Sequence, residues 1–241
     1  MEKMSQPLVS VVIHSFDRFK YLLNAIKSIE NQTYKNYEII LVNDDSNQKE
    51  YYEHNFPEFV KKLDIKKEEV PEWTGSRQAL INIGVDNSSG KYIALLDDDD
   101  YWLPTKLETQ IQQMLETGSG FSSTEGYFGE GIFDSTSKYK LYNQEYFYKI
   151  LKKKYRKTNY LKSGKFPKYW DYDFLKIHNC VIKSSVVIEK EIFNISGGFR
   201  GLPKNADYDF WLSVLQLTDL LYIDEPLFYY DGAHGDGKKY N

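Results

Sequence analysis

A chain of 241 residues with 41% hydrophobic residues can bury one sizeable core and is short for two, so a single domain is expected. Its formal charge of −4 gives no global electrostatic reason to bind nucleic acid. The lone cysteine, Cys180, excludes an intrachain disulfide and a thiolate metal site and fits a reducing, cytoplasmic setting; no apolar stretch is long enough to span a membrane and the N-terminus lacks the parts of a secretory signal.

In chain order, the β-branched run at 9–14 reads as a strand, and Phe19, Leu22, Leu23, Ile26 and Ile29 line one face of the helix after it. A second strand at 39–42 ends abruptly in Asn43, Asp44, Asp45 and Ser46, residue types that favour turns and caps. A weak helix over 49–60, a short strand over 63–66 and a better helix over 76–86 are expected next. Residues 92–96 form a continuous apolar run, the pattern of a strand buried on both faces, and it ends in four aspartates. Pro104 suits the first turn of a helix that carries Leu107, Ile111, Met114 and Leu115 inward. Strands alternating with helices over residues 1–117 predict right-handed crossovers and a mostly parallel sheet, in which ligands bind beyond the carboxyl ends of the strands. Three such ends carry polar clusters, at 15–18, 43–46 and 97–100.

Residues 138–176 differ in kind, with twelve basic residues against three acidic ones and eight interleaved tyrosines. An insertion outside the core sheet is expected here, helical over 144–156. A shorter α+β pattern follows: a strand over 180–183, a helix over 185–193, a turn at Ser196, Gly197, Gly198 and Phe199, and a helix starting near Asp207.

Four adjacent carboxylates closing a buried strand repel one another unless a cation or solvent offsets their charge. Hard oxygen donors suit Mn²⁺ or Mg²⁺, ions usually held by one or two carboxylates together with substrate phosphates, and a nucleoside diphosphate meets that description. The plainer alternative is a solvated acidic loop capping the following helix.

The opening VSVVIHSFDRFKYLLNAIKSIENQTYKNYEIILVNDDSN is similar to the first strand, helix and nucleotide-binding turn of the family 2 inverting glycosyltransferases with the GT-A fold, and LLDDDDYWLPTKL resembles that family's metal-binding segment. The resemblance covers nearly the whole chain. It implies one Rossmann-like α/β domain with a mostly parallel central sheet flanked by helices. Residues 1–117 would bind the nucleotide sugar; residues 118–241 would bind the acceptor, with the basic, Tyr-rich insertion at about 134–176 and a smaller α+β part.

By the same resemblance Asp44 bonds the pyrimidine base, while the backbone around Ser15 and Phe16, together with Asp17, closes the nucleotide pocket. Arg77 supplies positive charge near base or phosphate, because Ile81 stands before Asn82 where the family usually has an arginine. Asp97 and Asp98 face the ribose and metal-bound water, Asp99 binds Mn²⁺ or Mg²⁺ between the phosphates, and the late His234 reaches back to the metal or diphosphate. GGFRGLPKNADYDFWLSV is similar to the acceptor-side motif; Ala206 replaces its first acid and Asp207 falls at the general base, the alternative for Asp207 being an ordinary helix N-cap. Asp209 supports the helix start or the acceptor. Outside the matched motifs, His178 and Asn179 could meet the acceptor, and Trp73, Trp170 and Trp211 could stack on sugars.

The activity so implied is metal-assisted, inverting transfer of a hexose from a UDP-sugar (UDP-glucose, UDP-galactose or UDP-GlcNAc) or a dTDP-sugar to a hydroxyl of a glycan, lipid-linked or protein acceptor. No Gln-x-x-Arg-Trp segment of the processive synthases is present. A solvated face is the commoner reading of the basic insertion, beside contact with a phosphorylated acceptor, an acidic polymer or an anionic membrane surface. The competing function is an inactive nucleotide-sugar-binding or scaffolding module, motivated by Ile81, Ala206 and Ser213 where the family often has Arg, Glu and Arg.

Overall fold

The computed structural model describes residues 6–70 and 77–233. Its first half winds as the alternation predicts. Strand β1 (Val9–Ser15) is followed by helix α1 (Phe19–Glu30) and strand β2 (Tyr37–Asn43). The short helix α2 (Glu50–Glu53), the edge strand β3 (Val60–Asp64), helix α3 (Leu80–Asp86) and strand β4 (Tyr92–Asp97) come next. β1 lies between β2 and β4, parallel to both, and β3 extends the sheet beside β2. The register sets Ser15 opposite Asn43 and His14 opposite Asp97, which delivers the three polar clusters to one edge. Side chains alternate across the sheet: Val12, Ile40, Ile93 and Leu95 join one core cluster, while Val11, Ile13, Ile39 and Leu41 join the other.

Two local expectations fail here. The helix over 49–60 shrinks to four residues, with His54 already extended; Pro57 removes a donor and bars Phe56 from helical geometry. The strand over 63–66 begins earlier, at Val60, because Lys61 and Lys62 disguise an edge strand whose outer side meets water. A 3₁₀ turn over Arg77–Ala79 leads into α3, whose Gly84 lets the helix approach the sheet: a Cβ there would lie 2.6 Å from Val12 Cγ1.

Beyond β4 come β5 (Tyr101–Trp102), α4 (Lys106–Thr117) and β6 (Phe121–Gly129). Leu107, Ile111 and Met114 of α4 are buried as expected, but Leu115 is 38% exposed, being one residue past the inward stripe. Pro104 lies in the turn before the helix, and Gly118, at φ 71°, ends it.

The basic segment holds β7 (Lys140–Leu141), α5 (Tyr148–Lys154), β8 (Tyr169–Trp170) and α6 (Tyr172–Leu175). It does not stand outside the sheet: β7 pairs with β6, and Leu151, Tyr155, Leu161, Trp170 and Phe174 enter the core. Charge counting sees only the lysines, which stay outside, whereas the apolar residues between them decide where the chain packs. The helix over 144–156 is split into a π-type turn, Tyr142–Tyr146, and α5.

The last elements are β9 (Val187–Glu189), α7 (Lys190–Ile195), α8 (Ala206–Val214) and β10 (Leu220–Asp231). Residues 180–182 form no strand; the ladder forms at β9 instead, and the helix over 185–193 begins only at Lys190. The hydroxyls of Ser184 and Ser185 bond to backbone groups, which favours the 3₁₀ turn Lys183–Ser185 over a continuous strand. β9 runs antiparallel between β4 and β6, and β6 pairs parallel with the long β10, giving the order β3-β2-β1-β4-β9-β6-β10-β5. β8 pairs with β10 off that path.

Candidate active site

One cleft opens where β1, β2 and β4 end, and Phe16, Arg77, Asp97, Asp98, Asp99 and Asp207 all line it. Behind its first wall the buried carboxylate of Asp44 sits 3.3 Å from Nε2 of His14 and 3.1 Å from Nη1 of Arg77, both of which line the cleft. The Arg77 guanidinium lies 4.0 Å from the centre of the Phe16 ring. An aromatic face, a cation and a carboxylate thus form one wall, the equipment for holding a flat heterocycle by its face and its edge. Arg77 lines the cleft, and Ile81, the residue before Asn82, is buried in the core.

Ser15 and Asp17 brace this wall from behind. Ser15 Oγ donates to Asp98 Oδ2 at 2.7 Å and meets the Tyr51 hydroxyl, so its side chain is spent in the interior. Asp17, at φ 50°, accepts from Asn47 N at 2.6 Å and from Asn47 Nδ2 at 2.8 Å, which ties the loop after β1 to the loop after β2. Neither side chain lines the cleft, whereas Phe16 between them does.

The four aspartates divide by direction. Asp97 pairs with Lys183. Asp98 and Asp99 share Arg18, whose Nη1 lies 3.1 Å from Asp98 Oδ1 and 2.6 Å from Asp99 Oδ2. Asp100 turns away into the protein, accepting from the Ser184 hydroxyl and, at 2.9 Å, from the backbone N–H of Asp231 on β10. Burial, then the charges of Asp98 and Asp97, push the Asp99 carboxyl up to about 8 against the pull of Arg18. Burial likewise raises Asp98 and Asp100.

These donors fit a hard divalent ion such as Mn²⁺ or Mg²⁺. The Asp99 carboxyl, held up to about 8 by burial and by its neighbouring aspartates even with Arg18 beside it, has room for more positive charge. Among the described residues no three His, Cys, Asp or Glu side chains converge as a ready-made metal cage. His234 lies outside the described residues, as does Trp73.

Asp207 occupies the acceptor side of the same cleft. It is the second residue of α8, half-buried, and accepts from Asn179 Nδ2 at 3.3 Å. Asn205, at φ 55°, holds the N-cap position, so Asp207 is not the cap. Burial lowers the Lys183 ammonium while Asp97, then Asp207 and Asp99, raise it, with a net upward shift; one buried cation therefore feels both carboxylate groups. Asp209 supports the helix start: it accepts from both Arg200 Nε, at 2.7 Å, and Arg200 Nη2, which clamps the turn after Gly198 to α8.

Three expected acceptor contacts are not brought to the cleft. His178 is half-buried beside it, its imidazole lowered by burial and by Lys154, and its neighbour Asn179 reaches in instead. Trp211 is fully buried, with ring centres 5.8 Å from Phe121 and 5.7 Å from Phe199. Trp170 stacks 4.3 Å from Tyr222 in the core. Trp211 faces inward because, on α8, it adjoins Phe210 and lies three residues before Val214, both fully buried. Trp211→Ala is therefore expected to cost about 3–5 kcal/mol of stability by cavity formation, read in a urea melt. A sugar-stacking role would instead leave the melt unchanged and weaken acceptor binding.

The sequence reading missed His14, Arg18, Lys183, Tyr142, Tyr230 and Asp231 as cleft residues. Arg18 had a signal, since it closes the polar end of β1. Lys183, Tyr230 and Asp231 had none, because pairing of β9 and β10 across the chain brings them here.

A model of the family described as Glycosyl transferase family 2 matches residues 10–183. An uncharacterized glycosyltransferase of Methanocaldococcus jannaschii is 30% identical over 216 residues, 87% of this chain and 65% of that protein. The UDP-Glc:alpha-D-GlcNAc-diphosphoundecaprenol beta-1,3-glucosyltransferase WfaP of Escherichia coli is 34% identical over 134 residues, 53% of this chain and 51% of that protein. Among solved structures, S. aureus TarS 1-349 in complex with UDP-GlcNAc shares the fold at TM-score 0.66 and 14% identity, over 97% of this chain and 61% of that one. A mannosyltransferase of Pyrobaculum calidifontis in complex with GDP-Man and Mn²⁺ does so at TM-score 0.64 and 12% identity, over 98% of this chain and 59% of that one. The chain spans less than two thirds of the length of each of these relatives. With the family match running from β1 through the aspartate run to Lys183, and the sheet superposing on GT-A enzymes, this chain belongs to glycosyl transferase family 2.

Proposed function

We propose that this chain transfers a hexose from a UDP-sugar to a hydroxyl of a lipid-linked sugar, with inversion and with Asp207 as general base. The observation that carries the reading is the convergence of Asp207 with Asp97, Asp98 and Asp99 on one cleft whose other wall holds Phe16 and Arg77, the latter paired with the buried Asp44. Asp207 lies beyond the residues that the family model matches, so its role rests on position. The choice of UDP and of a lipid-linked acceptor draws on the name of the E. coli relative and on the UDP-GlcNAc complex of TarS.

Phe16 and Arg77 hold the uracil face and Asp44 accepts from its edge. Asp97 and Asp98 face the ribose. A divalent ion bound at Asp99 would neutralise charge on the departing diphosphate. Arg18 and Lys183 keep the carboxylates oriented through the pairs described above. Asp207, positioned by Asn179, takes the proton of the acceptor hydroxyl as that oxygen attacks the sugar on the side opposite the leaving group. The acceptor enters from the side of Asp207 and Tyr142.

A thermal-shift and hydrolysis screen of nucleotide sugars with Mn²⁺ tests this, because donor binding and slow hydrolysis need no acceptor. One UDP-sugar, at about a hundred times its dissociation constant, is expected to stabilise by about 2.7 kcal/mol, a shift of about 5–10 °C for a chain of this size, and to be hydrolysed slowly. Binding without turnover on any acceptor would favour the inactive module, for which Ala206 and the buried Ile81 speak. No shift with any nucleotide sugar would remove both readings.

A further inference from the structure

The cleft leaves one feature of the chain unused. Residues 146–170 contain nine lysines and arginines and no aspartate or glutamate, although acidic residues outnumber basic ones in the chain as a whole. All nine cations are exposed. Among the described residues none of them forms an ion pair. Leu151 and Tyr155 anchor α5 and the turn after it in the core, which turns Ile150 outward at 47% exposure. A shallow depression there is lined by Ile150 together with Lys149, Lys153, Lys154, Arg156 and Lys157. Tyr146 and Tyr169, on the same segment, are 46% and 45% exposed.

We infer that residues 146–170 are a docking face for an anionic lipid bilayer, with Ile150, Tyr146 and Tyr169 entering the headgroup layer while the surrounding cations meet lipid phosphates. Charge alone would serve any polyanion. An exposed isoleucine and two tyrosines among cations suit a layer that has acyl chains beneath its phosphates, and a polyphosphate or acidic glycan offers Ile150 nothing. Among the described residues no helix is long and apolar enough to cross a membrane, so the contact is with the surface. Its position also fits. Tyr142, four residues before Tyr146, lines the cleft, and Lys154 is near enough to His178 for its charge to act on the imidazole. Asn179, the next residue, holds Asp207. Docking by this face brings the acceptor side of the cleft near the bilayer, which suits a lipid-borne acceptor; that last step alone rests on the function proposed above.

The test is co-sedimentation of the chain with phosphatidylcholine vesicles, with and without about 30% phosphatidylglycerol, at low and high salt. Each cation near an anionic surface contributes about five-fold to binding, so reversing Lys149, Lys153 and Lys157 to glutamate is expected to weaken retention by about 100-fold or more. Ile150→Ser should reduce the part of the binding that survives salt. Neither change touches the cleft, and an unchanged melting temperature and unchanged UDP-sugar hydrolysis certify the fold. Should the triple reversal fail to fold, glutamines at the same three positions replace it, with a smaller loss expected. Equal retention on neutral and anionic vesicles, or none on either, overturns the inference. So does binding of polyphosphate without retention on vesicles, which would assign the face to an acidic polymer. Because vesicle retention needs no donor, it can fail while hydrolysis persists, and hydrolysis can fail while retention persists.

Discussion

Asp207→Asn is expected to lower sugar transfer by about 10²–10⁴-fold while leaving donor affinity within about two-fold. The amide keeps the size and a hydrogen-bonding oxygen for Asn179 but cannot take a proton from the acceptor. Loss of a negative charge in the first turn of α8 costs only about 0.3–1 kcal/mol, too little to unfold a domain, so lost activity would report on chemistry rather than stability. The measurement is initial rate on an acceptor beside calorimetric titration with the donor. Full activity in the variant would remove Asp207 as the base, and a loss of donor affinity equal to the loss of rate would move it to the donor side.

Asp99→Ala should abolish the metal-dependent part of donor affinity, seen as equal titration curves with and without Mn²⁺. Unchanged metal dependence would transfer the ion to other carboxylates of the run. The pH dependence supplies a second handle. The Asp99 carboxyl titrates near 8 in the folded chain, far above an unfolded aspartate, so between these values the native state binds the extra proton. Ion-free stability from this group is therefore present at low pH and declines as pH rises towards about 8. Mn²⁺ must displace that proton, and its apparent affinity should fall by up to about ten-fold per pH unit below 8. Asp99→Ala is expected to flatten both trends, in a melt series from pH 6 to 9 with and without Mn²⁺.

These two residues show unequal debts to sequence and structure. The aspartate run announced itself as a charge cluster closing an apolar strand, but sequence does not say which carboxylate faces where, since Asp98 and Asp99 each have an aspartate on both sides. Asp100 is set apart only by partners distant in the chain, Ser184 and the backbone of Asp231, which draw it inward and leave Asp97, Asp98 and Asp99 on the cleft. Asp207 carried a weaker local signal, and what separates it from a helix cap is the left-handed Asn205 before it.

By itself the sequence determined the first half of the sheet. β1, β2 and β4 are buried runs with polar ends, and alternation with helices makes them parallel, so their ends must coincide at one edge. Tertiary structure alone decided the second half. β9 is three residues long, the basic segment hides its core residues among lysines, and β10 pairs with β6 although the 90 positions 130–219 separate the two strands in the chain. It also decided that Trp211 packs inward while Arg18 and Lys183 face the carboxylates. The physical reason is range: burial periodicity and turn chemistry are written in neighbouring residues, whereas a cation's partner or a tryptophan's surroundings depend on which distant strand the chain places beside it.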